Sequence, residues 1–232
     1  LMKHRNVHLI LATGGTGLVR AAYTSGKPAY GVGPGNVPVY LDKTCNIKMS
    51  VRKIVESKTF DYGTICATEQ AIVVHKNIKS LVIRELKENG AYFLNEVEKA
   101  KVAAIISPQL GKINPKIVGK SAQTIANMAG IDIPEEAKLL IAEEEHIGKD
   151  IPFSIEKLSP IFALYTASDE DEAIRTCDDL LNIGGRGHSM AIHTEDEEQV
   201  RRFSLKMPVS RILVNTHASV GAAGGTTGLT PS

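Results

Sequence analysis

The 232 residues include no tryptophan, only three cysteines and almost no excess of charge: 27 Lys and Arg face 26 Asp and Glu, a formal net charge of +1. Each scarcity removes a class of explanation. Acids and bases are interleaved, so there is no one-sided basic surface of the kind that nucleic acid or an anionic membrane attracts, and neither partner is expected. No apolar run approaches the roughly 20 residues that span a bilayer; runs such as Ala71-Ile72-Val73-Val74 have the length of buried strands. The N-terminus, Leu1-Met2-Lys3-His4-Arg5-Asn6, lacks the apolar core of a signal peptide, so a cytoplasmic location is expected. Cys45, Cys66 and Cys177 are odd in number, far apart and free of CxxC spacing. That argues against a disulfide framework or a zinc site and for a reducing compartment. The histidines show no ligand spacing, and no metal site is expected.

What remains is an ordinary globular composition, 43% hydrophobic and 23% charged, enough for one large domain or two small ones. Apolar residues recur in short blocks at 7–12, 29–32, 70–75, 138–142, 161–166, 189–193 and 211–215, which read as strands. Between them, helical periodicity predicts helices at 18–25, 46–58 and from 77 to about 89, and again near 95–104, 116–129, 168–182 and 195–205. Ser168 with the acids after it, and Thr194 with Glu197, read as helix caps. Strands alternating with helices give an α/β class with mainly parallel sheets. The first strand, the Thr13-Gly14-Gly15-Thr16-Gly17 turn and the strand at 29–32 make one βαβ unit, too little for a complete nucleotide-binding sheet. A strand almost at the first residue, and a glycine- and threonine-rich end over 221–232, lead us to expect a segment of a longer polypeptide.

The cysteines differ in setting. Cys177 falls on the apolar stripe of its helix with Ala173, Ile174 and Leu181, where a thiol serves as a small hydrophobe. Cys45 sits in a helix-entry loop. Cys66 follows a glycine-containing loop, is flanked by small residues and precedes an apolar strand. A nucleophilic thiol needs such space, with backbone N–H groups close by to lower its pKa and hold an oxyanion. The residues alone fit either that role or a structural thiol.

The segment Thr59-Phe60-Asp61-Tyr62-Gly63-Thr64-Ile65-Cys66-Ala67-Thr68-Glu69-Gln70 resembles the active-site loop of the aldehyde dehydrogenase superfamily, nearest to its coenzyme A-acylating branch, which includes the aldehyde half of bifunctional aldehyde–alcohol dehydrogenases. Further segments follow in the family's order: Leu9 to Gly15, Gly31 to Pro38, Glu156-Lys157-Leu158-Ser159-Pro160, Gly184 to Ser189, and Arg211 to Thr216. The resemblance implies a catalytic domain at 39–207, preceded by the end of a Rossmann-like cofactor domain at 1–38 and followed by a closing strand and truncated C-terminal segment at 208–232. It implies oxidation of a small aldehyde by NAD or NADP through a thioester on Cys66, with coenzyme A as acyl acceptor. The segment alone is expected to be inactive, and the whole protein a homo-oligomer, in the cytoplasm or a bacterial microcompartment.

On the same resemblance, Thr13, Gly14 and Gly15 line the path of the nicotinamide cofactor, Glu156 holds its ribose hydroxyls, and His188 lies at the coenzyme A or nicotinamide pocket. By spacing alone the glycine turn is neither GxGxxG nor a P-loop, Glu156 reads as a solvated surface carboxylate, and His188 equally as a structural imidazole. Val32 is the position nearest the glutamate that activates water in hydrolytic relatives. No carboxylate occurs over 26–41, so an acyl group on Cys66 is expected to await a better nucleophile than water. Three alternatives stay open: a hydrolytic aldehyde dehydrogenase, an acyl-phosphate reductase, and an inactive domain that assembles filaments or shells.

Overall fold

The computed structural model describes residues 1–228, so the last residues of the 208–232 segment lie outside the described part. The strands are β1 (Ile10–Thr13), β2 (Ala29–Val32), β3 (Val37–Leu41), β4 (Glu69–His75), β5 (Ala91–Phe93), β6 (Leu139–Glu143), β7 (Ile161–Ala167), β8 (Ser189–His193) and β9 (Arg211–Val214). The α-helices are α1 (Thr16–Tyr23), α2 (Ile47–Thr59), α3 (Lys79–Glu88), α4 (Glu96–Ile106), α5 (Ala122–Ala129), α6 (Glu170–Gly184), α7 (Glu197–Lys206) and α8 (Ala218–Ala222). The α/β alternation is as the periodicity predicts. Every strand pairing is parallel.

β1 and β2 form a sheet of their own, and the other seven strands form one sheet in the order β5-β6-β7-β4-β3-β8-β9. The central strands β3, β4 and β8 are buried on both faces. Their alternate residues feed two cores. Tyr40, Ala71 and Val73 pack with α4, α5, α6 and α7 through residues such as Val102, Ile125, Cys177 and Phe203. Val39, Leu41, Ile72 and Val74 pack with α2, α3 and α8 through Val51, Ile54, Val82 and Ala218. Helices thus cover both faces, the usual condition for an all-parallel sheet. No helix of the described residues is long and apolar enough to cross a membrane.

Three expectations need correction. Residues 1–38 are not one unit, because Val37 and Pro38 begin β3 of the seven-stranded sheet; the two sheets part between Val32 and Val37. The cap of α6 is Asp169, which accepts from Glu172 N, while Ser168 donates through its N–H and hydroxyl to the Glu172 carboxylate. The cap of α7 is Asp196, accepting from Glu198 N; Thr194 instead accepts from Asp196 N and donates to Asp42 Oδ2. A carboxylate one or two residues further on forms the stronger, charge-assisted cap.

Candidate active site

Because all seven strands run the same way, their N-terminal ends share one edge of the sheet. Cys66 stands three residues before β4, Gly35 and Asn36 just before β3, Ser159 before β7 and His188 immediately before β8. A cavity of about 690 Å³ opens there. Its walls include Cys66, Glu156, Gly35 and, from the smaller sheet, Thr13, Gly14 and Gly15. Val32 and His188 line an adjoining cavity of about 520 Å³, which shares Gly33, Pro34 and Gly184 with the first. The fold therefore gathers Thr13, Gly14, Gly15, Cys66 and Glu156 around one space and sets Val32 and His188 in the next.

A larger cavity, about 790 Å³, lies at the opposite edge, at the carboxyl ends of β5, β6 and β7. Ligands in open parallel sheets favour that edge, but its two lysines are paired with acids, as Lys79–Glu143 (2.5 Å) and Lys99–Glu144 (3.2 Å), and no thiol lines it among the described residues. Chemistry outweighs size here.

Cys66 is held by a strained approach. Asp61, Tyr62 and Gly63 have positive φ in succession (47°, 51° and 76°), a left-handed conformation that costs a non-glycine residue about 1–2 kcal/mol. Thr64 N and Oγ1 both donate to Asp61 O (3.2 and 3.0 Å), fixing the turn. A Cβ on Gly63 would stand 3.0 Å from Ser159 O, so glycine is what lets this loop pass the strand entering β7. On the far wall Leu158 is also left-handed, at φ 46°. Strain of this kind on both sides of one cavity marks a segment whose geometry matters beyond folding.

Gly35 joins the parts. Its N–H donates to Glu156 Oε1 at 3.0 Å across 121 residues of sequence. A Cβ on it would lie 2.4 Å from Cys66 O and 3.3 Å from the His188 ring. Asn36, next to it, is buried and donates through Nδ2 to Ser154 O and Leu180 O, both at 2.8 Å. Sequence reasoning missed Gly35 and Asn36 as site residues. The signal was a lone amide ahead of an apolar Val-Pro-Val run, which must bond to something once buried.

The electrostatics are those of a partly dehydrated pocket. Burial pushes the Cys66 thiol up, and Glu156 adds to the rise; backbone N–H groups of Cys66 and Ala67, with Arg211, act the other way. Burial raises Glu156 from the usual 4.5 to about 7, against the Gly35 N–H and the charges of Lys58 and Lys157. His188 is pulled down by burial and then by Arg211, and its Nδ1 is buried without a partner. A neutral imidazole at pH 7 follows. Burial drives the other two thiols up as well, Cys45 to about 11 and Cys177 further, and both are buried where Cys66 is not.

This pairing sets a pH-dependent expectation. Above pH 7 an ionised Glu156 opposes formation of the Cys66 thiolate; below it the carboxyl is increasingly neutral and the opposition fades. Glu156→Gln should therefore speed alkylation of Cys66 by iodoacetamide several-fold at pH 8 and converge on the wild-type rate near pH 6. Peptide-resolved mass spectrometry measures it. A variant slower than wild type at pH 8 would show that Glu156 aids the thiolate instead.

The glycine turn suits a phosphate-bearing cofactor. Gly15 caps α1 without any side-chain bond, and nothing lies within 4 Å of where its Cβ, or that of Gly17, would be. Gly15 and Thr16 line the cavity, and since Leu18 N and Val19 N donate to Gly15 O, the N–H groups of Thr16 and Gly17 are the ones this helix N-terminus would offer an anion.

Comparison with known proteins agrees with this arrangement. The chain is 44% identical over 232 residues to aldehyde–alcohol dehydrogenase 2 of Entamoeba histolytica, covering 97% of this chain and 27% of that protein. It superposes on an acetylating aldehyde dehydrogenase from Geobacillus thermoglucosidasius with a TM-score of 0.98 at 56% identity, over 100% of this chain and 51% of that one. A propionaldehyde dehydrogenase from Rhodopseudomonas palustris, solved with bound CoA and an acylated cysteine, matches at TM-score 0.90 and 27% identity over 99% of this chain and 52% of that one. The chain thus spans about a quarter to a half of these relatives' lengths. With the aldehyde dehydrogenase family matching residues 1–232 throughout, this chain belongs to that family.

Proposed function

We propose that this chain carries the thiol chemistry of a coenzyme A-acylating aldehyde dehydrogenase. The observation that carries the reading is the make-up of the Cys66 cavity. Among the described residues Glu156 is the one acid on its walls, and one oxygen of that carboxylate accepts the Gly35 N–H. The residues over 26–41 bring no second carboxylate to activate water.

The Cys66 thiolate attacks the carbonyl carbon of a small aldehyde, forming a C–S bond and an alkoxide. The backbone N–H groups at Cys66 and Ala67 are the donors that would hold this charge. Loss of hydride from that carbon leaves a thioester on Cys66. The thiolate of coenzyme A then forms a new C–S bond to the acyl carbon and the Cys66–acyl bond breaks, restoring the Cys66 thiolate. Thr13, Gly14, Gly15 and Glu156 would hold the nicotinamide cofactor, NAD or NADP, which supplies the hydride acceptor when bound. His188 and Val32, in the adjoining cavity, would meet the coenzyme A or nicotinamide portion.

We assign the β1–α1–β2 unit to the cofactor side and the seven-stranded sheet to the catalytic side. Leu11 and Tyr30, on the small sheet, are 76% and 68% exposed. Apolar surface of that kind supports a homo-oligomer or further protein layers covering it. The cytoplasm, where coenzyme A and Cys66 stay reduced, is the compartment that suits the chemistry.

The test is the dependence of NADH formation on coenzyme A. The intact protein, given an aldehyde and NAD, should form NADH and acyl-CoA in equal amounts, with little free acid. Rapid acid release without coenzyme A would favour the hydrolytic reading, and turnover that requires inorganic phosphate the acyl-phosphate one.

A further inference from the structure

Two lysines lie wholly buried near the cavity without lining it. Lys58, near the end of α2, and Lys157, next to Glu156, each have 0% exposure. An ammonium in such a place is costly unless its protons are all satisfied; an apolar side chain would pack there without that cost. Lys157 is satisfied within its own loop, donating to Phe153 O (2.7 Å) and Ile155 O (2.9 Å). Lys58 reaches out of its helix. Its Nζ donates to Glu69 O (2.8 Å) and to Gln70 Oε1 (3.2 Å), and lies 4.9 Å from the centre of the Phe162 ring.

Gln70 makes this a junction. Its Oε1 also accepts from the backbone N–H of Lys157 at 3.0 Å, and its Nε2 donates to Thr68 O at 3.2 Å. One amide thus grips the strand that follows Cys66, the loop that carries Glu156, and the Lys58 amine. We propose that Lys58 is a positioning residue for the chemistry at Cys66: through Gln70 it ties the nucleophile's segment to the Glu156 segment, and it provides a buried positive charge that favours the ionised Glu156 carboxylate. The inference rests on Cys66 being the nucleophile.

The charged groups that act on Lys58 are Glu69, Glu156 and Lys157. The Glu69 carboxylate is committed elsewhere, accepting from Ser57 Oγ (2.6 Å) and from Ala218 N (3.0 Å) at the start of α8. Glu156 has fewer ties, with the Gly35 N–H alone bonded to it among the described residues. Burial pulls Lys58 down to about 7, opposed by Glu69 and Glu156, and pushes Glu156 up to about 7, opposed by Lys58. Their influence on one another is therefore readable near neutral pH.

The experiment uses the intact protein and three variants, Lys58→Met, Gln70→Leu and Glu156→Gln, each checked by thermal melting. The rate of Cys66 alkylation by iodoacetamide is followed against pH, and kcat and KM are measured for the aldehyde. Wild type should show a lower inflection near pH 7 that Glu156→Gln abolishes. Lys58→Met should move that inflection up by about one pH unit, the size of effect a nearby opposite charge has on a carboxylate. Both Lys58→Met and Gln70→Leu should lower kcat by about 10- to 100-fold with KM within twofold, as misplacement of a reacting group does. A folded Lys58→Met with its inflection unmoved overturns the proposal even if kcat falls, since a packing defect alone lowers kcat. Should Lys58→Met fail to fold, Gln70→Leu decides: a kcat within twofold of wild type overturns the proposal, and a native melt with the expected loss supports it. Alkylation needs no turnover, so a wild-type enzyme that reacts with iodoacetamide but forms no acyl-CoA would count against the proposed function and leave this result readable.

Discussion

Cys66→Ala should reduce acyl transfer to background, a loss on the order of 10⁴-fold or more, while NAD affinity stays within about twofold. The asymmetry follows from the cavity. Cys66 supplies the sulfur to which the acyl group is bonded, whereas the start of α1 at Gly15 and Thr16 and the Glu156 carboxylate are other parts of the lining. Cys45→Ala and Cys177→Ala should keep the activity, because both thiols are buried and stay protonated. Removing the Cys177 sulfur from a fully buried helix face costs packing, about 1 kcal/mol, and no chemistry. Incubating the intact protein with acyl-CoA and weighing it checks this directly: wild type and both control variants gain the acyl mass, and Cys66→Ala does not. Acyl mass retained on Cys66→Ala would move the nucleophile elsewhere.

Gly35→Ala should be nearly as damaging without touching a reacting atom. The added Cβ would sit 2.4 Å from Cys66 O, a backbone atom that cannot swing aside as a side-chain tip can. Either the β3 entry or the Cys66 segment must move. Moving the first also breaks the Gly35 N–H bond to Glu156 and crowds the His188 ring. A displacement of 1 Å at a reacting group costs about 100-fold in rate, and overpacking costs about 1–3 kcal/mol of stability. We expect kcat/KM down by about 100-fold with a native-like but lower melt. Gly184→Ala is the stability control: nothing lies within 4 Å of its Cβ position, so its melt should not fall. If Gly35→Ala kept full activity, the close passage of β3 past the nucleophile would have no functional weight.

Much of the fold was legible because burial leaves a local imprint. β2 and β8 fall where alternation and apolar runs predict them, and α6 and α7 differ from expectation by two residues at most. β3 was not legible. Its residues Val37–Leu41 are buried on both faces, so no polar–apolar alternation marks them, and Pro38 argues against a central strand because it has no N–H to give. The structure accommodates it with a register shift between Val37 and Pro38 against β4. β5, at three residues, is too short for any periodicity. α8 was hidden for the opposite reason: Ala218–Ala222 is built of small residues in a glycine-rich end.

The site divides along the same line. The residues themselves set Cys66 apart only by its small neighbours and the strand after it; resemblance made it the nucleophile and gave the carboxylate-free stretch its meaning. Resemblance added Glu156, the glycine turn and His188. Tertiary structure alone decided that Glu156 faces the Cys66 cavity and bonds to Gly35, and that His188 and Val32 look into a second one. It also put Lys58 and Lys157 in the interior, although a lysine in a sequence reads as solvent-facing. The physical reason is range. Helices and strands follow from contacts a few residues apart, which periodicity records. The charge state of Glu156, the reactivity of Cys66 and the burial of Lys58 come from desolvation and from bonds between residues up to 121 positions apart, and these exist only once parallel strands have brought their N-terminal ends to one edge.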